Sequence, residues 1–247
     1  MNAEDLFNTS IKISGADIHA QDDPYRKQEI NLERQLIKKN NIIAGHLRKH
    51  FEGTQVFVVN LISAPGAGKT LLLEKTLFHF KDKPIYVITA DQDSMNDANR
   101  LRRIHPNVIQ INTGAFCRLD ADMIYHAVHQ MKPESESIVL IENVGNLLCS
   151  GAGDLGESRK VVIWSVADGE KVPLKYPMIF EQANMCLINK IDLLAHVDFN
   201  LEKARELLFK VNPEIRIINT SITKGYGLSE WVTWLTDHMP IQMDAYQ

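Results

Sequence analysis

The residues best able to do chemistry in this chain are eight in a row, Ser63-Ala64-Pro65-Gly66-Ala67-Gly68-Lys69-Thr70. They follow an apolar run and open a helical pattern, which is the setting of a phosphate-binding loop. Glycines let the backbone turn so that successive N–H groups point at phosphate oxygens, and the helix N-terminus favours the anion. Lys69 is placed to reach the β- and γ-phosphates, and the Thr70 hydroxyl to bind Mg²⁺. The contacts expected with the nucleotide run through Ser63, Pro65, Gly66, Ala67, Gly68, Lys69, Thr70 and Leu71. Ser63 stands where the usual pattern has glycine.

Two carboxylates are candidates to organise that metal. Asp91 follows the apolar run Ile85–Thr89, and Glu142 ends Ile138–Glu142, positions where ligands bind in open α/β sheets. Glu142-Asn143-Val144-Gly145 reads as a DxxG element with Glu for Asp, so the Gly145 N–H is a candidate γ-phosphate sensor. Lys69, Asp91 and Glu142 are the expected catalytic set.

Asn189-Lys190-Ile191-Asp192 has the NKxD pattern of GTP-binding proteins. The Asp192 carboxylate can accept from both guanine N1–H and the exocyclic amine; adenine offers no matching pair of donors. The Lys190 stem can cover one face of the base. Ser221-Ile222-Thr223 follows at the place of an SAK-like base loop. An ATP-using, kinase-like P-loop enzyme is the alternative, and Asp192 is the residue that discriminates.

These residues need elements to hold them. Strands are expected at Val56–Ile62, Ile85–Thr89, Val108–Ile111, Ile138–Glu142, Val161–Val166, Met185–Asn189 and Ile215–Asn219. Helical patterns alternate with them at Lys69–Phe80, Met95–Ile104, Ala121–Met131, Leu201–Val211 and Leu228–His238. The alternation predicts an α/β P-loop NTPase fold, a mostly parallel sheet of about seven strands flanked by helices. Residues 1–25 read as a mobile tail and 26–53 as an amphipathic helix striped by Leu32, Leu36, Ile43, Leu47 and Phe51, with the nucleotide domain at 54–247.

Composition sets the outer limits. The 247 residues carry 27 basic and 31 acidic side chains, a net charge of −4, with 45% hydrophobic and 23% charged residues. These values exclude a mostly disordered chain and argue against nucleic-acid binding through a basic surface. No stretch reads as a membrane span or signal peptide, so a cytoplasmic protein is expected. Three cysteines exclude a disulfide framework. Cys186 lies in an apolar run and reads as core, whereas Cys117 and Cys149 fall in loops at the sheet edge where the nucleotide is expected. His126 and His129 read as a solvated helix face.

At this point the sequence closely resembles the hydrogenase nickel-incorporation GTPases, the HypB family. The landmarks are the SxPGxGKT loop, Asp91 with Asn96-Asp97-Ala98, the TGxxC stretch ending at Cys117, and Glu142-Asn143-Val144-Gly145-Asn146-Leu147 with Cys149. Asp154-Leu155-Gly156-Glu157, Leu174-Lys175-Tyr176-Pro177, the NKxDLL segment and Asn212-Pro213-Glu214-Ile215 complete them, and the resemblance covers about Leu32 to Trp234. It implies a SIMIBI-class GTPase that uses GTP/GDP and Mg²⁺, forms a nucleotide-dependent homodimer, and delivers nickel with hydrogenase maturation proteins or the hydrogenase large subunit. It also implies a Ni²⁺ or Zn²⁺ site near the dimer interface, for which Cys117 and Cys149 are the candidate ligands. Three departures stand out: Arg118 where the family has histidine, Ser150 where proline is common, and a leading segment with no cysteine and only His19. They keep open a paralogue that acts as a GTP-dependent scaffold with weakened metal delivery, or a GTPase for another metalloenzyme.

Overall fold

The computed structural model describes residues 24–91, 96–114, 118–147 and 153–239. Residues 1–23 of the expected tail, Cys117, Cys149 and Ser150 lie outside the described residues, as does the side chain of Asp91. The chain divides into two units, residues 1–38 and 39–247, so the boundary falls inside helix α1 (Pro24–Thr54). In the first unit, Ile30, Leu32, Leu36 and Ile37 are exposed.

The second unit is built on seven parallel strands: β1 (Phe57–Ser63), β2 (Ile85–Asp91), β3 (Val108–Asn112), β4 (Ile138–Glu142), β5 (Arg159–Ser165), β6 (Met185–Asn189) and β7 (Arg216–Asn219). Their spatial order is β3-β2-β4-β1-β5-β6-β7. β1, β4 and β6 are buried at every residue, which is why they read as continuous apolar runs instead of alternating ones. Helices α2 (Lys69–His79), α3 (Asn96–Arg102), α4 (Ala121–Met131), α5 (Val172–Lys175), α6 (Pro177–Glu181), α7 (Leu201–Val211) and α8 (Leu228–His238) connect or follow the strands.

Order at the strand ends sets the site. β1 lies centrally between β4 and β5, with Leu61 in register with Glu142. The chain therefore leaves β1 into the phosphate loop directly beside the end of β4. Both faces of the sheet are covered. One carries Leu72, Leu73 and Leu77 of α2 with Trp231, Trp234 and Leu235 of α8. On another, Ala44, Leu47 and Phe51 of α1 pack with Ala121, Ile124 and Val128 of α4. Only the later part of the α1 stripe is thus buried, since Leu32 and Leu36 are exposed. Burying the aliphatic side chains of such a core contributes about 1.5–3 kcal/mol each.

Gly156 explains how closely α1 approaches. Its φ is +78°, and a Cβ there would lie 2.7 Å from Leu47 Cβ and 2.8 Å from Ala44 O. Beside it, Arg48 Nη2 donates to Asp154 Oδ1 at 2.6 Å, and the Asn40 amide donates to Asp154 O. Glu157 is buried beneath this contact. It accepts from Asn60 Nδ2 and from the Leu155 amide, with Lys160 Nζ at 3.5 Å.

Candidate functional site

The phosphate loop runs from the end of β1 to the start of α2. It lines a cavity of about 390 Å³ together with Thr89, Ala90, Asp97, Ala98, Arg100, Gln110, Glu142, Val144 and Gly145. Gly66 and Gly68 hold φ of +70° and +105°, conformations that a side chain disfavours. Gly68 is required for a second reason: a Cβ there would lie 2.6 Å from Asn189 Nδ2. Every loop residue from Ser63 to Leu71 borders the cavity.

The last two residues of the motif meet the end of β4. Thr70 Oγ1 is 2.7 Å from Glu142 Oε1, and Lys69 Nζ is 3.6 Å from the same oxygen. Glu142 is almost wholly buried. Burial pushes its carboxyl above the ordinary carboxylate range and nearby Asp97 adds to this, while Lys69 and Thr70 oppose it. Gly145 sits against the loop, since a Cβ on it would be 3.5 Å from Pro65 Cα and 3.8 Å from Lys69 Nζ. The segment Glu142–Gly145 is therefore next to where the terminal phosphate would lie.

Asp91 closes β2 in register with Asn112. Besides Glu142, Asp97 of α3 also reaches Thr70, with Oδ2 at 3.1 Å from Thr70 Oγ1. Sequence reading marked Asp97 only within a family landmark and did not mark Arg100. The available signal was an acidic residue opening a helix directly after a strand end at this edge of the sheet.

The loops expected to read the base follow β6 and β7. Asn189 is buried, and its amide is occupied by protein: Nδ2 donates to Ala67 O at 2.7 Å, while Oδ1 accepts from the Ile222 amide and Thr220 Oγ1. It ties the loops after β6 and β7 to the phosphate loop. Lys190 adopts a left-handed φ of 64°, which turns the chain into the short 3₁₀ segment Ile191–His196. Asp192 is exposed, and Ser221 Oγ donates to its Oδ1 at 2.5 Å. Ser221 is itself fixed by paired backbone hydrogen bonds with Tyr226. Ile222 is buried and would meet a Cβ on Gly68 at 3.6 Å, so it packs between the base loop and the phosphate loop.

Elsewhere, Cys186 is fully buried in β6, and burial pushes its thiol far up, consistent with a core residue. His126 and His129 are exposed on α4. Arg118 is exposed, and among the described residues no group of three or more His, Cys, Asp or Glu side chains is arranged to hold a metal.

A parallel sheet with a phosphate loop leaving its central strand defines a P-loop nucleotide-binding protein. A family model described as the CobW/HypB/UreG nucleotide-binding domain matches residues 57–219. The hydrogenase maturation factor HypB of Rhizobium leguminosarum bv. viciae is 45% identical over 207 residues, covering 83% of this chain and 69% of that protein. The crystal structure of HypB from Archaeoglobus fulgidus has a TM-score of 0.76 and 36% identity, covering 81% of this chain and 98% of that one. HypB from Helicobacter pylori in complex with nickel has a TM-score of 0.75 and 33% identity, covering 81% and 94%. The chain belongs to the CobW/HypB/UreG family, on the side of its HypB members.

Proposed function

We propose that this chain is a Mg²⁺-dependent GTPase that serves nickel insertion during [NiFe]-hydrogenase maturation. The observation that carries the choice of nucleotide is the exposed Asp192 carboxylate, fixed by Ser221 on loops that Asn189 ties to the phosphate loop. The choice of process is supported by the relative named hydrogenase maturation factor HypB and by the solved HypB in complex with nickel.

In this reading the loop amides and Lys69 hold the phosphates, and Lys69 offsets charge that develops on the γ-phosphoryl oxygens as water attacks. Mg²⁺, when bound, draws charge from the β- and γ-phosphates. An all-oxygen set of Thr70, Glu142 and Asp97, with Asp91 at the neighbouring strand end, suits that hard cation. Glu142 would hold Thr70 and reach the metal directly or through water. Gly145 would sense the γ-phosphate and release its segment after hydrolysis. Slow intrinsic turnover is expected.

Nickel enters as cargo. Cys117 and Cys149, paired across a nucleotide-dependent homodimer, are the proposed thiolate ligands. The partners would be hydrogenase maturation proteins or the hydrogenase large subunit, in the cytoplasm. Among the described residues, no helix is long and apolar enough to cross a membrane. Arg118 favours a second reading, a GTP-dependent scaffold with weakened delivery, because a fixed cation beside Cys117 opposes a metal ion. Titration with Ni²⁺ and Zn²⁺, with and without a GTP analogue, separates the two while mass is followed by light scattering. Delivery predicts nucleotide-dependent metal binding that Cys149→Ala removes. Dimerisation without any such binding supports the scaffold.

A further inference from the structure

A chain of alternating charges runs outward from the phosphate loop. Glu142 and Asp97 converge on Thr70 Oγ1, at 2.7 and 3.1 Å. Asp97 uses Oδ2 for this contact, and its Oδ1 faces Arg100 Nη1 at 3.5 Å. The other guanidinium nitrogen, Nη2, reaches Glu74 Oε1 at 2.8 Å. Glu74 lies one turn after Thr70 on α2, so the guanidinium spans α2 and α3.

Two carboxylates that share one hydroxyl repel each other, and something must hold Asp97 in place. An arginine fork can grip two carboxylates at once through different nitrogens, which a lysine cannot do with the same geometry. A solvent-exposed pair contributes little to stability. The half-exposed Arg100 is therefore poorly explained as a stabiliser of the fold, yet it borders the phosphate cavity. We infer that Arg100 is a positioning residue. Anchored by Glu74, it holds Asp97 against Thr70 and so sets the affinity of the nucleotide complex for its divalent cation. Glu74 does not itself line the cavity, so its carboxylate bears on the site through Arg100.

This inference rests on the GTPase reading and is tested apart from turnover. Mn²⁺ binding to the GDP complex is read by electron paramagnetic resonance, and GDP binding in EDTA by calorimetry. Loss of an outer partner of a metal ligand costs about 10–100-fold in metal affinity. Glu74→Ala should therefore weaken Mn²⁺ by about tenfold, with metal-free GDP affinity unchanged. Arg100→Ala should weaken Mn²⁺ at least as much, and the double variant no more than Arg100→Ala alone. Glu74→Gln, which keeps an acceptor, should recover part of the loss. If Glu74→Ala leaves Mn²⁺ affinity at the wild-type value, or the two losses multiply independently, the latch is wrong. A wild-type protein that binds GDP but no Mn²⁺ overturns the inference alone, whereas one that binds no GDP overturns the GTPase reading as well.

Discussion

Asn189 donates its side-chain Nδ2 to the carbonyl of Ala67 at 2.7 Å, across a sequence separation of 122 residues. The same amide accepts from the Ile222 backbone. One buried side chain thus joins the phosphate loop after β1 to the base loops after β6 and β7. A clip of this kind holds the loops proposed for the phosphates and the base at one spacing, and such pre-organisation lowers the ordering cost of binding.

Replacing that amide should harm folding and binding together. Asn189→Ala leaves the Ala67 carbonyl and Ile222 amide without this partner in a buried setting, a loss of about 1–3 kcal/mol for each unsatisfied group. Thermal melting should fall by several degrees, and GDP affinity measured below the melting range should also drop. An unchanged melting curve with normal GDP affinity would mean that the clip carries no energy.

Base choice should follow Asp192. Guanine presents two donors to a carboxylate, whereas xanthine presents a carbonyl in place of the amine, which suits the mixed donor and acceptor of an amide. Asp192→Asn should therefore lose about 10–100-fold in GDP affinity, the equivalent of a charged hydrogen bond, and gain affinity for xanthosine diphosphate. Fluorescent nucleotide displacement reads both. Retained guanine preference in this variant would remove Asp192 from base recognition.

The phosphate lysine should matter chiefly after binding. Lys69→Ala should abolish measurable phosphate release from GTP, a loss of more than about 100-fold, because the developing charge loses its principal cation. Single-turnover phosphate release is the appropriate assay. Normal turnover would discard the proposed mechanism.

Glu142 gives a pH dependence whose sign is fixed by its environment. Burial raises its pKa in the fold, so the folded state binds more protons than the unfolded chain between the ordinary carboxylate pKa and the raised value. Its contribution to stability accordingly falls as pH rises through that window, then stays constant. Glu142→Gln should flatten this trend and raise nucleotide-free stability at neutral pH, while weakening Mg²⁺ binding to the GDP complex. Urea denaturation across pH reads the first effect and metal titration the second.

The phosphate loop and the seven strands were legible because each is local. Glycine positions dictate backbone turns, and buried parallel strands read as unbroken apolar runs. Boundaries shifted where polar residues pair: β5 begins at Arg159, before the apolar run, because its backbone is in register with Val59 of β1. The short helices Val172–Lys175 and Pro177–Glu181 were not anticipated; each carries its proline in the first turn, a position that proline suits. Asp97 and Arg100 were missed as working residues because their meaning depends on α3 lying beside α2. The role of Asn189 as a clip could not be read either, since a side chain's partners 30 to 120 residues away emerge only from the assembled sheet.

Hydrolysis of GTP in preference to ATP at this site is tested by phosphate release from each nucleotide at equal concentration with Mg²⁺. The geometry at Lys69, Thr70, Glu142 and Asp192 predicts slow, Mg²⁺-dependent release from GTP, stopped by EDTA, and little or none from ATP. Equal turnover of the two nucleotides, or none of GTP when Mg²⁺ is present, would contradict it.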